Sequence, residues 1–241
     1  MTLGSDNLQG KLSFNFNRAV RDARRDYPVE TENITFIDSS HKTRDEQVNQ
    51  FSQWIEATSP AFKDLLLKDT TARSLAALML LMYGGTMSLK DPVSGKGILI
   101  APGNPEENPL HKLFSPALSS EETLAYSFYH ELGHLIIDEG LANTLRELEL
   151  CSDFNESQSL RRRGEIFADS FAGLYGLQAG FLDKNKVQQL SSIRKAGDAI
   201  HDTAEALSAL IEARDEMTMA PLGPQEIKRA AVTHAKKFTA R

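Results

Sequence analysis

Cysteine is nearly missing from this chain, since Cys151 is the only one among 241 residues. An intramolecular disulfide is therefore excluded, and so is a zinc site built from several cysteines. A lone cysteine also favours a reducing compartment. Basic residues are outnumbered as well, because 27 lysines and arginines face 33 aspartates and glutamates, for a net charge of −6. Nucleic acid and anionic membranes are disfavoured as main partners, since both attract basic surfaces.

Long hydrophobic runs are also lacking. The longest one, Leu75–Tyr83, has nine residues, whereas a membrane-spanning helix needs about 20. The N-terminus has no basic region followed by an apolar stretch, so no Sec signal peptide is predicted. We therefore expect a cytoplasmic protein with no membrane partner, and export by a route that leaves no such signature is the alternative.

What is present is an ordinary globular composition, with 41% hydrophobic and 25% charged residues. A chain of this length can bury one large core without disulfides. Residues 1–41 are predicted to form a polar, loosely ordered segment with one short helix and one short strand at Ile34–Ile37. Residues 42–241 are predicted to form one α+β, mostly helical domain, with its functional core at about 86–180.

Apolar spacing, capping signals and turn residues place the elements of that domain. Short strands are predicted at Thr86–Leu89 and Gly97–Ala101, and a proline-rich connection over 102–118 is predicted to be a functional flap or a loop. Helices are predicted to begin after Thr43, at Pro60 and at Pro224. A fully buried helix is predicted over Ala72–Tyr83. Three further helices are predicted over about Ser120–Asp138, Gln158–Gly176 and Lys184–Met217, the last with a kink at Gly197.

The most informative segment is His130-Glu131-Leu132-Gly133-His134, inside one of these helices. Histidines four residues apart lie on the same side of a helix, one turn apart, so both imidazoles can bind one ion. Zinc accepts neutral imidazole nitrogens and lowers the pKa of a bound water to about 7. The pattern therefore predicts a zinc site in which Glu131 is the general base. A core helix with two hydrogen-bonded histidines is the alternative.

A third ligand is expected from the helix that follows, where two acids and several small residues share one face: Glu165, Ala168, Asp169, Ala172 and Gly176. The small residues let this helix approach the histidine helix closely at Gly133. We predict that Glu165 binds the metal and that Asp169 accepts the second ring N–H of a ligand histidine. In the alternative, the two acids only pair with the arginines at 161–163.

The two motifs together resemble those of a known group of enzymes. His130-Glu131-x-x-His134, followed by a glutamate on a second helix, resembles the gluzincin zinc peptidases, and the run from Glu165 to Ala172 is similar to the pattern of the ImmA/IrrE metallopeptidase family. The resemblance covers residues 130–172. It implies His130, His134 and Glu165 as zinc ligands, Glu131 as general base, and an upstream mixed sheet, zincin-like, whose edge strand binds an extended peptide.

Several further residues are candidates with weaker support. Peptide hydrolysis places negative charge on the carbonyl oxygen, so a donor that stabilises this oxyanion is expected. The candidates are His201, Tyr175, Tyr129 and His111. Cys151 could bind zinc, but a small buried thiol is the better interpretation. Asp138 is either a hydrogen-bond acceptor for a ligand or an ordinary acid at a helix end.

The sequence thus predicts zinc-dependent hydrolysis of a peptide or protein substrate. An endopeptidase is preferred, because no clear acidic motif for binding a substrate amine is visible, and an aminopeptidase stays open. A non-catalytic module that keeps zinc for binding or sensing is one alternative, although the intact Glu131 argues against it. A secreted effector protease that acts on a protein of a partner organism is the other.

Overall fold

A computed structural model describes residues 14–40, 42–68, 70–82, 86–102, 111–137, 154–197, 201–216 and 221–239. In chain order its elements are α1 (Phe16–Asp26), α2 (Pro28–Thr31), β1 (Ile34–Asp38), α3 (Arg44–Glu56), α4 (Pro60–Leu67), α5 (Ala72–Met82), β2 (Met87–Lys90), β3 (Gly97–Ala101), α6 (His111–Phe114), α7 (Ser120–Ile136), α8 (Phe154–Ala179), α9 (Lys184–Lys195), α10 (Ala204–Glu216) and α11 (Pro224–Thr239). The predicted α+β, mostly helical class is confirmed.

The three strands form a mixed sheet in the order β1-β3-β2. The central strand β3 pairs in parallel with β1, where Phe36 is opposite Leu99, and antiparallel with β2, where Ser88 is opposite Leu99. All five residues of β3 are buried, as the continuous apolar sequence Gly-Ile-Leu-Ile-Ala favours. Among the described residues, β1 and β2 are therefore the two edges.

Helices cover both faces of this sheet. Alternation along β3 points Ile98 and Ile100 into a core made with α3, α4 and α5, and Leu99 into a larger core made with α1 and the helices from α7 onward. Phe36 of β1 stacks on Phe128 of α7 at 6.2 Å between ring centroids. The sheet therefore supports α7, the helix that carries both histidines, along one face.

Local sequence signals explain where the helices begin. Thr43 and Glu46 form a capping box at the start of α3, and Ser119 and Glu122 form another at the start of α7. In each box the hydroxyl accepts a backbone N–H that the helix leaves unpaired, and the glutamate accepts the N–H of the capping residue. Pro60 takes the first position of α4. These predicted starts are confirmed.

The N-terminal part differs from its prediction as a loosely ordered segment separate from the domain. Its predicted helix and strand are present as α1 and β1, but both belong to the shared core. Phe16, Ala19 and Ala23 are buried at spacings of three and four residues, Tyr27 is buried beside them, and β1 pairs with β3. The described part of the N-terminal segment therefore shares the core of the helices that follow, and the sequence did not indicate this because many polar residues surround its narrow apolar stripe.

Two predicted helices also differ in detail. The helix over Ala72–Tyr83 is not fully buried, since α5 buries Ala72, Ala76 and Leu80 but exposes Leu81 by 74% and Met82 by 67%. The long helix predicted over Lys184–Met217 is two helices, α9 and α10, and α9 ends at Lys195 just before Gly197. No helix in the described part of the chain is long and apolar enough to cross a membrane.

The proline-rich connection is described only in its second half. Residues 103–110, on which the flap hypothesis mainly rests, lie outside the described residues. The second half contains α6, whose Phe114 is buried against Tyr126 of α7 at 5.7 Å between ring centroids. This part of the connection therefore packs on the helix that carries the histidines.

Candidate metal centre

The site is built where α7 crosses α8. A Cβ atom at Gly133 would lie 3.0 Å from Cα of Ala168, so only glycine at this position lets the two backbones come this close. The close approach predicted at Gly133 is confirmed. Because Glu165 lies one turn before Ala168 on α8 and the histidines flank Gly133 on α7, the crossing brings these side chains together.

Three side chains that could bind a metal face one another at this crossing. His130 Nε2 lies 3.3 Å from Glu165 Oε2, His134 Nε2 lies 3.5 Å from Glu165 Oε1, and the two Nε2 atoms are 3.2 Å apart. Ligand atoms at about 2.0–2.1 Å from a tetrahedral ion lie about 3.3–3.4 Å from one another. The spacing therefore fits three ligands of one zinc-sized ion, with the fourth position left for water or substrate.

Asp169 contacts His130 on the Nδ1 side of the ring, opposite the nitrogen that faces Glu165. This fully buried carboxylate lies with Oδ1 2.7 Å from His130 Nδ1. A ring N–H donated from Nδ1 fixes the tautomer in which Nε2 carries the lone pair, and that is the form a metal binds. Both acids of α8 thus meet the histidines rather than only the arginines at 161–163. Of those arginines, Arg162 donates from Nε to the backbone of Asp202.

Asp169 also binds three residues that the sequence reasoning missed. Its carboxylate accepts hydrogen bonds from Tyr126 Oη at 2.8 Å, from an Arg194 guanidinium nitrogen at 2.7 Å, and from Thr203 Oγ1. Tyr126 lies four residues before His130, on the same face of α7, and this spacing is a signal that could have identified it. No such signal marks Arg194 or Thr203, because only the break between α9 and α10 places them here.

Charge at the centre is dominated by carboxylates that stay ionised. Burial would raise the pKa of Asp169, but Arg194 and His130 outweigh it and hold that pKa well below its usual range. Burial likewise opposes the ionisation of Glu165, yet His134 and His130 lower its pKa to about 2. Burial lowers the pKa of His134. Burial would also lower the pKa of His130, but Asp169 and Glu165 outweigh it and raise that pKa to about 10. A divalent cation bound at His130 Nε2 would take the place of this proton and pair with Glu165, while Arg194 balances the charge of Asp169.

Glu131 is not part of the group formed by His130, His134 and Glu165, and its carboxylate contacts the sheet. Its Oε2 accepts a hydrogen bond of 2.6 Å from Ser88 Oγ, on the edge strand β2. Two residues along the strand, Lys90 Nζ donates to the backbone oxygen of Leu135 at 3.0 Å. Both contacts connect the edge strand to α7. Sequence reasoning missed Ser88, and its place on an alternating strand gave no reason to link it with residue 131.

The candidates for an oxyanion donor are not gathered in one place. Tyr175 lies ten residues beyond Glu165 on α8, about 15 Å along the helix, where it stacks on Tyr129 and accepts the Tyr129 hydroxyl at 2.7 Å. The assignment of Tyr175 as an oxyanion donor stays a prediction, and in the structure its hydroxyl is paired with that of Tyr129. His201 lies between α9 and α10 instead of inside one long helix, two residues before Thr203.

Three other candidates are less fully described. His111 begins α6, and its side chain lies outside the described residues. Cys151 and Asp138, the weaker candidates near the metal, also lie outside them. Among the described residues, His130, His134 and Glu165 form a group of histidine, cysteine and acidic side chains close enough to hold a metal ion.

Comparisons with known proteins add no family to these observations. No protein-family model matches the sequence, and searches of curated proteins and of solved structures return no match. The geometry and chemistry of the centre are therefore the basis for assigning a function.

Proposed function

We propose that this protein is a zinc-dependent peptidase that hydrolyses peptide bonds, with Glu131 as its general base. The observation that carries the proposal is the mutual spacing of three donors, His130 Nε2, His134 Nε2 and Glu165, at 3.2–3.5 Å. Two neutral imidazoles and one carboxylate are a ligand set used by catalytic zinc, which keeps one open position. When bound, zinc supplies Lewis acidity and lowers the pKa of a water in that position to about 7.

The chain's own residues divide the remaining work. Glu131 does not belong to the group of three donors, so its carboxylate is available to take a proton and pass it to the leaving amine. Ser88 holds one oxygen of that carboxylate, Oε2, at 2.6 Å and leaves the other oxygen for proton transfer. Asp169 orients His130 through the 2.7 Å contact with Nδ1. Each side chain thus has a single task.

The position of the sheet supports a peptide as the substrate. β2 is an edge strand, and both Ser88 and Lys90 connect it to α7. An exposed edge can pair with an extended peptide through main-chain hydrogen bonds, which would lay the scissile bond beside the helix that carries Glu131. The resemblance of the two motifs to gluzincins, and to the ImmA/IrrE metallopeptidases among them, supports the same reaction. We propose an endopeptidase, because this edge has no described acid placed to bind a substrate amine.

The decisive experiment compares the wild type with Glu131→Gln. Both proteins, loaded with one equivalent of zinc, are incubated with a peptide library, and products are measured by mass spectrometry. Glutamine keeps the size of glutamate and can still accept from Ser88, but it cannot take a proton. We expect equal zinc content and a loss of about 10²–10⁴ in the cleavage rate.

A second variant tests the metal. His134→Ala should bind no zinc in metal analysis and should cleave nothing, whereas its far-UV spectrum should show the helices intact. Cleavage that survives unchanged in Glu131→Gln contradicts the assigned base, and full zinc content in His134→Ala contradicts the assigned ligands. Zinc-loaded wild type that cleaves no library member contradicts the peptidase proposal and favours a zinc module without turnover.

A further inference from the structure

A groove lies at the opposite edge of the sheet from the metal centre. It has a volume of about 530 Å³, within the usual range of about 300–1,000 Å³ for ligand sites. Its floor is β1, including the exposed Thr35, and its wall is the side of α3 that carries Gln50, Gln53 and Trp54. β3 separates β1 from β2. Ligand binding in this groove is therefore independent of the proposed peptidase activity.

The strand at the base of the groove has one unused edge. Gly97 donates to the oxygen of Asn33 at 2.9 Å, and Ser39 donates to the oxygen of Ala101 at 3.1 Å. Residues alternate in a parallel ladder, so the odd-numbered residues of β1 face β3. The N–H and C=O groups of Ile34 and Phe36 then face outward. Within the described parts of the chain, no other strand pairs with them.

A buried donor in the wall is also without an acceptor. Trp54 is 5% exposed, and its indole Nε1–H makes no hydrogen bond among the described residues. Leaving a buried donor unsatisfied costs about 1–3 kcal/mol. Trp54 lines the groove although its Nε1 atom is buried, so a bound molecule is expected to change the surroundings of the indole ring.

The lining of the groove has one more basic than acidic side chain, although the protein as a whole is acidic. Two lysines and one glutamate line it, Lys42, Lys96 and Glu32, in a chain of net charge −6. Lys42 follows the carboxyl end of β1, and Lys96 lies beside its amino end. Their Nζ atoms donate to neutral acceptors, Gln50 Oε1 at 2.8 Å and the backbone oxygen of Ala57. Both ends of the groove can therefore attract negative charge.

We propose that this groove binds an extended, acidic segment of another protein, which adds to β1 as a fourth strand. Outward N–H and C=O groups select an extended backbone, and the lysines at the two ends select carboxylate side chains. A second copy of this chain fits less well, because antiparallel pairing of two β1 strands would place Lys42 of one copy near Lys96 of the other. Two positively charged side chains placed close together oppose the pairing of the two copies.

Tryptophan fluorescence gives a direct test, because Trp54 is the only tryptophan in the chain. The probe is an acetylated, amidated heptapeptide of alternating valine and threonine with glutamate at both ends. Two peptides serve as controls. One has lysine in place of glutamate, and the other is N-methylated at alternate residues so that it cannot pair with a strand edge. All are titrated into the full-length protein, with calorimetry as a second measure.

We expect a saturable change of Trp54 emission with the acidic peptide and none with the lysine peptide. N-methylation should weaken binding by about tenfold or more, since two or more backbone hydrogen bonds are lost. Lys42→Met with Lys96→Met should weaken it about tenfold. The matched control, Lys63→Met with Lys112→Met, removes the same charge outside the groove and should stay within about twofold of wild type.

Three results would overturn the proposal. One is unchanged emission and no heat with the acidic peptide at millimolar concentration. Another is equal affinity for the acidic, lysine and N-methylated peptides, which would mean that neither charge nor the strand edge selects the ligand. The third is a dimer in sedimentation that the acidic peptide does not dissociate and that Lys42→Met with Lys96→Met strengthens, which would assign the groove to a second copy.

Discussion

Asp169 shows how much one buried carboxylate depends on its neighbours. It is fully buried and touches a histidine, an arginine, a tyrosine and a threonine. A buried charge is tolerated only when partners and hydrogen bonds replace water. Asp169 therefore connects α7, α8, α9 and the start of α10 through a single side chain, and a change there should affect both the fold and the orientation of His130.

Asp169→Asn tests this double role. The amide has no charge to pair with Arg194, and breaking such a buried pair costs about 3–5 kcal/mol of unfolding free energy. Loss of the acceptor behind His130 should also weaken zinc by about 10–100-fold. Urea unfolding and zinc competition with a chelator measure the two effects. Glu165→Gln is the control, because it should weaken zinc more strongly and leave the Asp169–Arg194 pair intact. Equal zinc affinity in Asp169→Asn and wild type would show that Asp169 does not orient the ligand.

Ser88→Ala tests how Glu131 is held. Without the hydroxyl, the carboxylate is free to rotate, and a hydrogen bond to a charged group is worth about 1.5–3 kcal/mol. We expect kcat to fall by about tenfold, with KM and zinc content unchanged, and Ser88→Thr to restore most of the rate. Steady-state kinetics on a cleaved library peptide measure this split. A rise in KM with constant kcat would instead assign Ser88 to substrate binding.

Some residues of the centre could be predicted from the sequence and others could not. His130, His134 and Glu131 stand within one turn of one helix, where spacing alone fixes their relation. Glu165 and Asp169 lie on one face of a second helix, so only the crossing remained to be inferred. Ser88, Arg194 and Thr203 come from three separate parts of the chain. Their approach depends on tertiary packing, which leaves no local pattern.

At the scale of elements, the crossing of α7 and α8 is the most sensitive point. Gly133→Ala would place a methyl group 3.0 Å from Cα of Ala168, so the helices must separate. We expect a loss of about 1–3 kcal/mol of unfolding free energy from overpacking, together with weaker zinc binding. The matched control is Gly164→Ala on α8, where the nearest atoms are 3.9 Å away on the His134 ring. That variant should gain about 0.5–1 kcal/mol from helix propensity. Equal effects of the two changes would argue against a packing limit at Gly133.

The start of α7 provides a prediction about pH. Burial raises the pKa of Glu122, but Lys186 and the backbone N–H of Ser119 outweigh it, so the folded-state pKa lies below the unfolded value. The stabilisation is therefore present above the unfolded pKa of about 4.3 and is lost as the pH falls through the folded pKa. Glu122→Gln keeps the capping hydrogen bond but removes the charge. It should cost about 0.5–1 kcal/mol at pH 7.

Urea unfolding between pH 3 and pH 7 measures this effect. The difference between Glu122→Gln and wild type should shrink toward pH 3. Lys186→Met should show the same trend, because it removes the partner of the same charge at 2.7 Å. A difference that stays constant with pH would show that the loss comes from packing and not from the carboxylate.

Features of the helices that depend on local interactions could be predicted from the sequence, whereas those that depend on tertiary contacts could not. Capping boxes at Thr43 and Ser119 and the proline at residue 60 are local signals, and they placed three helix starts correctly. The break between α9 and α10 was missed because an apolar stripe runs through both helices, and their separate packing is a tertiary effect. The burial of α1 and the exposure of Leu81 and Met82 on α5 depend likewise on which neighbours cover each face.

At the scale of the whole molecule, zinc should stabilise the fold. A metal that binds only the folded state adds RT ln(1 + [L]/Kd), or about 2.7 kcal/mol at a free concentration of 100 times Kd. Thermal unfolding with and without a chelator should therefore differ for the wild type. The same comparison for His134→Ala should show no difference. A chelator effect of equal size in both proteins would show that the stabilising metal binds elsewhere.

The break that places Thr203 beside Asp169 has a consequence for biosynthesis. The centre takes His130 from α7, Glu165 from α8, Arg194 from α9 and Thr203 from the residue before α10. Until Arg194 has left the ribosome, Asp169 lacks the cation that pairs with it. Because a buried carboxylate without this cation is costly, we expect the crossing of α7 and α8 to be less stable before Arg194 is in place. The order of the sequence thus favours assembly of the candidate metal centre only after nearly all of the residues that build it have been translated.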